Sequence, residues 1–236
     1  DRNNEMDMIA SYQLTQNAIL YSLRENESPL ARNYVDNLLK ERKKYSIFVA
    51  SISVVNRNFH VVSSSEEYEP GTVSAMKDVD PKYQTGEFMI GDVYERITDD
   101  GRKNVVPAYT GVYYNNELIG YVMEELDTAY FDDLRLNMDT LADGTFYLLD
   151  GNGAIITAGD TKNKRSLKTF VSKSSDRNDF QKKWDAIDHE KNPSGYVRYR
   201  YHRQDYITYY SDVENTCWGI RVTENLSAQK QTGRTY

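Results

Sequence analysis

A chain of 236 residues, 39% hydrophobic and 12% aromatic, can bury one large core or two small ones, which excludes disorder for most of its length. Its 36 acidic and 29 basic residues give a net charge of −7, which argues against non-specific binding to a nucleic acid. Cys217 is the single cysteine, so neither an internal disulfide nor a cysteine-based zinc site can form.

The sequence contains no apolar run of about eighteen residues and does not begin with an apolar leader. We therefore expect neither a membrane span nor a signal peptide within it. The sequence is interpreted as a portion of a longer protein.

The first predicted element is a long amphipathic helix from Glu5 to Leu23, where apolar residues fall at helical spacing and both Gly and Pro are absent. The stretch "NESP", Asn26 to Pro29, interrupts it. A second helix is predicted from about Pro29 to Lys44, because Pro is well tolerated in a first helical turn.

The pattern then changes to that of β-strands. The runs "YSIFVASISVV" and "FHVVSSS", joined by "NRN", predict a hairpin. A stretch of helix and loop follows, and after it come three predicted strands, "EFMIGDVYERI", "VVPAYTGVYY" and "LIGYVMEEL". The order is two strands, a helical break and three strands.

The second half of the chain repeats this order. Phe146 to Ile156 predict a hairpin, Arg177 to Ile187 a helix, and Gly195 to Leu226 three further strands. Two regions support a duplication by alignment: Val54–Asn56 match Leu148–Asp150, and Gly120 matches Gly219. The two offsets differ by a few residues, as loop insertions would produce.

These features predict an α+β fold in three segments. Residues 1–44 form an N-terminal helical stalk with a connecting helix, 45–135 a first PAS-like module, and 136–228 a second one. Each module is expected to contain an antiparallel sheet of about five strands with flanking helices.

Three stretches in this order resemble the double Cache family of extracytoplasmic sensor domains. "FYLLDGNGAIITAG" is similar to the family's opening hairpin, "NNELIGYVMEEL" to its turn, Gly and final strand, and "DYITYYSDVENTCWGIRV" to its closing strands. The resemblance implies a long N-terminal helix, a membrane-distal module and a membrane-proximal module.

The resemblance also implies a function. The chain would be the extracellular ligand-binding sensor of a membrane-anchored bacterial signal transducer, such as a diguanylate cyclase, histidine kinase or chemoreceptor. It would not be an enzyme, would need no cofactor or metal, would bind no nucleic acid, and would form a homodimer through the N-terminal helix. A ligand in the distal module would shift a conformational equilibrium, and Met6 to Leu23 would carry the displacement towards the membrane.

The family's amino-acid-binding branch suggests a site. There, an Arg-x-Trp-Tyr segment binds the ligand carboxylate, a strand Tyr packs over the ligand, and an acidic residue on the last strand binds the ammonium group. Tyr94 and Glu125 match the last two positions, but "DPKY" retains only Tyr83 and has Asp80 in place of the arginine. We therefore expect an amine, a purine-like or a sugar-like ligand and not a standard amino acid. The predicted ligand-binding residues are Tyr83, Asp92, Tyr94, Thr110 and Glu125.

Two other functions remain open. A carbohydrate-binding module would use the tyrosines between Tyr196 and Tyr210 as an exposed platform. A hydrolase would need two carboxylates that converge across strands, such as Asp92 and Glu125, although HExxH, GxSxG and GKS/T motifs are absent from the sequence. "DGNG" at Asp150 to Gly153 is predicted to be a tight hairpin turn and not a calcium loop, and Cys217 a structural thiol.

Overall fold

The computed structural model divides the chain into two compact units, unit 1 (Asp1–Thr128) and unit 2 (Ala129–Tyr236). It describes residues 2–24, 28–69, 71–79, 81, 84–98, 101–137, 144–160, 177–214 and 216–228. The helical residues before residue 45 belong to unit 1, and the last strand of that unit ends at Asp127.

Unit 1 begins with three helices, α1 (Arg2–Ser11), α2 (Gln13–Leu23) and α3 (Pro29–Lys43). The helix predicted from Glu5 to Leu23 is interrupted at Tyr12, which is extended with φ −65° and ψ 130°. Helix α3 begins at Pro29 as predicted, and the Ser28 hydroxyl caps it by accepting from the backbone N–H of Ala31. No helix among the described residues has the length and apolarity that a bilayer crossing needs.

The sheet of unit 1 is antiparallel throughout. Its strand order is β2-β1-β6-β5-β3, and β4 pairs with another part of β5. A short 3-10 helix at Ala75–Asp78 lies between β2 and β3. The strand predicted from Glu87 to Ile97 consists of two pieces. The strands are β1 (Val49–Asn56), β2 (Val61–Ser64), β3 (Met89–Ile90), β4 (Tyr94–Thr98), β5 (Gly101–Tyr114) and β6 (Glu117–Asp127).

Both faces of this sheet are covered at its centre, where all eight residues of β1 are buried. Helices α1 and α2 pack on one face, where the Thr110 hydroxyl donates to Asp7 of α1 over 3.1 Å. On the same face, α2 lies so close to β6 that a Cβ on Gly120 would stand 3.1 Å from Cδ1 of Ile19. The other face carries Ser51, Ser53, Met123 and Glu125, because side chains alternate along each strand.

Unit 2 contains a five-stranded antiparallel sheet with the strand order β8-β7-β11-β10-β9. In both units the first strand lies between the second and the last, and the remaining strands follow on the far side of the last. This shared order confirms that the fold contains two PAS-like modules. The elements of unit 2 are α4 (Ala129–Asn137), β7 (Thr145–Leu149), β8 (Ile155–Asp160), α5 (Arg177–Asp185), β9 (Ser194–Tyr201), β10 (Gln204–Asp212) and β11 (Gly219–Asn225).

The first hairpin of each unit closes with the same hydrogen bonds. Oδ1 of Asn56 accepts from the backbone N–H groups of Asn58 and His60, at 3.0 and 3.1 Å. At the aligned position, Oδ1 of Asp150 accepts from the N–H groups of Asn152 and Ala154, at 3.0 and 2.7 Å. A short polar side chain that binds backbone ahead of it is typical of such turns. The "DGNG" stretch is therefore a hairpin turn, as the sequence predicts.

Candidate ligand-binding site

Unit 1 contains an open cleft of about 720 Å³ beside the sheet face that carries Glu125. Strands β1, β2, β4 and β6 line its floor. Its outer wall comes from α3 and from residues 66–69 and 72–75, which follow β2. The strand residues of the floor include Ser51, Ser53, Arg96, Met123 and Glu125.

Glu125 is the centre of a polar cluster at this floor. Its residue is only 4% exposed, yet it has three donors around it. Oε1 accepts from the Tyr94 hydroxyl, while Oε2 accepts from the Ser51 hydroxyl and forms an ion pair with Arg96. Arg96 also donates to Ser51 Oγ at 2.6 Å. These four side chains are called the Glu125 cluster below.

Strand register brings the Glu125 cluster together. On β6, Glu125 pairs with Ser51 of β1 on one side and with Pro107 of β5 on the other. Tyr94 on β4 pairs with Val105, which lies two residues from Pro107 and therefore on the same face. Arg96 follows Tyr94 by two residues, so it shares that face too.

The cluster holds a charged pair and a neutral phenol. The Arg96 side chain is 25% exposed and that of Glu125 only 5%, so the ion pair is mostly shielded from water. Burial raises the pKa of Tyr94 to about 12, although the nearby Arg96 partly opposes the rise. At neutral pH Tyr94 is therefore a hydrogen-bond donor to Glu125, and the carboxylate is compensated by donors on several sides.

The outer wall of the cleft carries charges of both signs. Asp36 of α3 accepts from the backbone N–H of Ser64 at 2.9 Å. Burial raises the pKa of this carboxyl, while the Ser64 bond, Arg32 and Lys40 act in the opposite direction. The guanidinium of Arg32 lies over the ring of Tyr68, 5.4 Å from its centroid, so the wall is fixed partly by a cation–π contact.

Two of the predicted site residues, Tyr94 and Glu125, meet in the Glu125 cluster. Thr110 does not join them, because it pairs with Val122 and therefore points to the opposite face, where it binds Asp7. Asp92 precedes β4, is partly exposed, and is not among the described residues that line the cleft. Tyr83 lies outside the described residues, as does Asp80.

Sequence reasoning missed three residues of the cleft floor, Arg96, Ser51 and Ser53. Arg96 had a usable signal, because a residue two positions after Tyr94 on a strand shares its face. The two serines had none. Their position beside β6 depends on the pairing of β1 with a strand that is distant in sequence, and serine in a strand predicts nothing by itself.

The tyrosines of unit 2 do not form an exposed row. Tyr196 and Tyr209 are exposed, but Tyr210 is 8% exposed and its ring lies 5.0 Å from that of Trp184. Tyr199 packs between Phe180 and Tyr206, with ring centroids 4.9 and 5.7 Å away. A flat sugar-binding platform needs rings that face solvent together, so this arrangement does not favour a carbohydrate-binding module.

Sequence comparisons identify no relatives: no protein-family model matches the chain, and no curated protein matches it. Solved structures do match. The ligand-binding domain of the Campylobacter jejuni chemoreceptor Tlp3, in complex with 4-methylisoleucine, aligns with a TM-score of 0.60 at 14% identity and covers 100% of this chain and 86% of its own. The ligand-binding domain of Mlp24 with asparagine aligns with a TM-score of 0.53 at 15% identity, covering 93% and 84%.

An extracellular domain gives a similar match. That of rpHK1S-Z16, a protein named as a histidine kinase, aligns with a TM-score of 0.55 at 12% identity and covers 99% of this chain and 95% of its own. The matches extend over nearly the whole chain, so they include both units. At these identities they establish the fold.

One prediction is wrong in light of these structures. The sequence led us to expect an amine, purine-like or sugar-like ligand instead of a standard amino acid. However, the solved domains with this fold hold isoleucine, valine and asparagine. The prediction depended on the missing arginine of "DPKY", yet Arg96 supplies a guanidinium at the cleft floor from a different strand.

One conclusion follows from the strand order of each unit, the two successive units and the structural matches over nearly the whole chain. The chain has the double Cache fold found in the extracytoplasmic sensor domains of chemoreceptors and histidine kinases.

Proposed function

We propose that this chain is the extracellular ligand-binding region of a membrane-anchored bacterial signal transducer and that it binds an α-amino acid in the cleft of unit 1. The observation that carries the proposal is the Glu125 cluster, which places a carboxylate and a guanidinium side by side at the floor of an open cleft. Domains of the same fold hold amino acids, which supports the ligand class.

The charges of a zwitterion suit this floor. An α-ammonium group is a donor that can pair with Glu125, and an α-carboxylate can accept two parallel hydrogen bonds from the guanidinium of Arg96. Tyr94 would hold Glu125 in place by its hydroxyl. On binding, the ion pair between Arg96 and Glu125 would be replaced by two ion pairs with the ligand, one for each residue. Neither residue would then be left as an isolated buried charge.

The proposed role is binding and not catalysis. The carboxylate pair that the sequence suggested for a hydrolase, Asp92 with Glu125, does not meet in the cleft, because Asp92 is not among the described lining residues. Within the described residues, no group of three His, Cys, Asp or Glu side chains is arranged to hold a metal ion.

A signal would reach the N-terminal helices through the sheet. The cleft lies on one face of β6, while α1 and α2 pack on the other, where Gly120 of β6 meets Ile19 and Thr110 of β5 meets Asp7. A ligand that draws β6 towards the cleft would therefore change the packing of both helices. Its effect is limited to the difference between its affinities for the two states.

A panel of the standard amino acids tests the proposal by thermal shift and calorimetry. A true ligand at a hundred times its dissociation constant stabilises the folded chain by about 2.7 kcal/mol. We expect Glu125→Gln and Arg96→Gln each to weaken binding at least about tenfold, because each removes one charged partner.

The matched control is Glu117→Gln on the same strand. Glu117 forms an exposed ion pair with Arg57 at 2.6 Å, far from the cleft floor, and its loss should leave affinity unchanged. If no amino acid stabilises the wild-type chain, or if binding survives both cluster variants, the proposal is wrong.

A further inference from the structure

We infer that Ser53 selects ligands with an uncharged polar side chain, an amide or a hydroxyl, over branched aliphatic ones. The inference rests on the proposed function and specifies the amino acids that this cleft takes. Its basis is a hydroxyl at the cleft floor that has no hydrogen-bond partner in the part of the chain that the structure describes.

Ser53 differs from the other serines of the described cleft lining. Ser51 donates to Glu125, Ser64 accepts from the N–H of Glu66 at 3.0 Å, and Ser74 accepts from the N–H of Met76 at 3.2 Å. The Ser53 residue is 5% exposed, and none of the described residues forms a hydrogen bond with its Oγ. A buried hydroxyl without a partner is unfavourable, so a ligand group that both donates and accepts would relieve it.

The position of Ser53 fits the side chain of an amino acid. It follows Ser51 by two residues on β1, so the two side chains share a face and are separated by about 6.6 Å along the strand. The Ser51 hydroxyl donates to the Glu125 carboxylate, and the ligand ammonium would lie beside that carboxylate. A ligand side chain that runs along β1 from there reaches Ser53 with its second or third heavy atom, the place of an amide or hydroxyl group.

The charges of the wall disfavour an acidic side chain on the ligand. Its carboxylates Asp36, Glu66, Glu67 and Glu69 outnumber Arg32 and Lys40, the cations of the described wall, so a second ligand carboxylate would be repelled. A neutral polar group avoids this repulsion and can pair with Ser53.

Calorimetry with two pairs of similar shape tests the inference: asparagine against leucine, and threonine against valine. In the wild-type chain the polar member of each pair should bind more tightly. Ser53→Ala should weaken asparagine binding by roughly three- to tenfold and leave leucine binding unchanged. Since the Ser53 hydroxyl forms no hydrogen bond with any described residue, the melting temperature of the ligand-free variant should not fall.

Ser65→Ala is the matched control. Its hydroxyl accepts from the backbone N–H of Ile52 at 2.9 Å and is not part of the cleft lining. This variant should melt earlier but keep the wild-type ratio of asparagine to leucine affinity.

The outcomes separate the two proposals. Three results would overturn the inference: leucine binding at least as tight as asparagine, a preference for a charged amino acid, or an unchanged ratio in Ser53→Ala. They would leave the proposed function in place, provided that Glu125→Gln still weakens binding at least about tenfold. An absence of binding by every amino acid would overturn both.

Discussion

Arg96 and Glu125 form an ion pair between strands that are not neighbours. Arg96 lies on β4 and Glu125 on β6, and β5 runs between them. Pro107 is the residue of β5 beside Glu125, so the Arg96 side chain reaches Glu125 across β5. The contact therefore ties the edge of the sheet to its centre.

Breaking this pair should destabilise unit 1. Arg96→Met leaves the Glu125 carboxylate buried without its cation, which we expect to lower the free energy of unfolding by about 2 kcal/mol, discounted because Arg96 is partly exposed. The double variant Arg96→Met/Glu125→Leu should recover most of the loss. Urea unfolding measures both, and a double variant less stable than the single one would contradict the expectation.

Arg57→Met is the control for that measurement. The Arg57–Glu117 pair is exposed, with side-chain exposures of 52% and 66%, so its removal should change the free energy of unfolding by less than about 0.5 kcal/mol.

The Tyr94 hydroxyl should lose its proton at a higher pH than an ordinary tyrosine does. Burial raises its pKa to about 12 from 10.0, so the unfolded chain releases this proton first as the pH rises. The stability that the neutral phenol contributes is complete below pH 10 and is lost as the pH rises towards 12. The difference in tyrosinate absorbance between the wild type and Tyr94→Phe should show one phenol with a midpoint near 12. A midpoint near 10 would contradict the burial of this hydroxyl.

The aligned glycines Gly120 and Gly219 should respond differently to alanine. A Cβ on Gly120 would lie 2.2 Å from the carbonyl oxygen of Val55, a contact that forces the β1–β6 pair apart. A Cβ on Gly219 would meet nothing nearer than the Ser211 carbonyl at 4.0 Å. Gly120→Ala should therefore destabilise the chain by more than about 2 kcal/mol and Gly219→Ala by less than about 1 kcal/mol, measured by urea unfolding. Equal losses would show that the backbone at Gly120 adjusts freely.

Thr110→Val should weaken the contact between the sheet and helix α1 without weakening ligand binding in the cleft. Thr110 lies on the helix-facing side of the sheet, so the substitution should leave amino-acid affinity in the cleft within about twofold of the wild type. It removes the hydrogen bond to Asp7 and should increase amide hydrogen exchange in α1. A large loss of affinity would show that Thr110 belongs to the binding site, as the sequence predicts.

Much of the fold could be read from the sequence because it depends on local pattern. The alternation of apolar residues and the turns at Asn56 and Asp150 identified the two opening hairpins, and the order of elements identified the repeat. The interruption at Tyr12 was not visible, because no Gly or Pro lies there. The predicted strand divides at Gly91, directly after β3, so a glycine signal was present there and was not used.

The site was predicted less well. The sequence alone determined that two similar α+β modules follow a helical segment, and that Tyr94 and Glu125 occupy strands of the first. Only the tertiary structure decided which side chains meet. It placed Arg96 and Ser51 on Glu125, left Ser53 at the cleft floor without a hydrogen-bond partner among the described residues, and turned Thr110 to the opposite face. The physical reason is register, since a shift of one residue between paired strands moves every side chain to the other face, and the pairing of β1 with β6 joins segments that no local pattern relates.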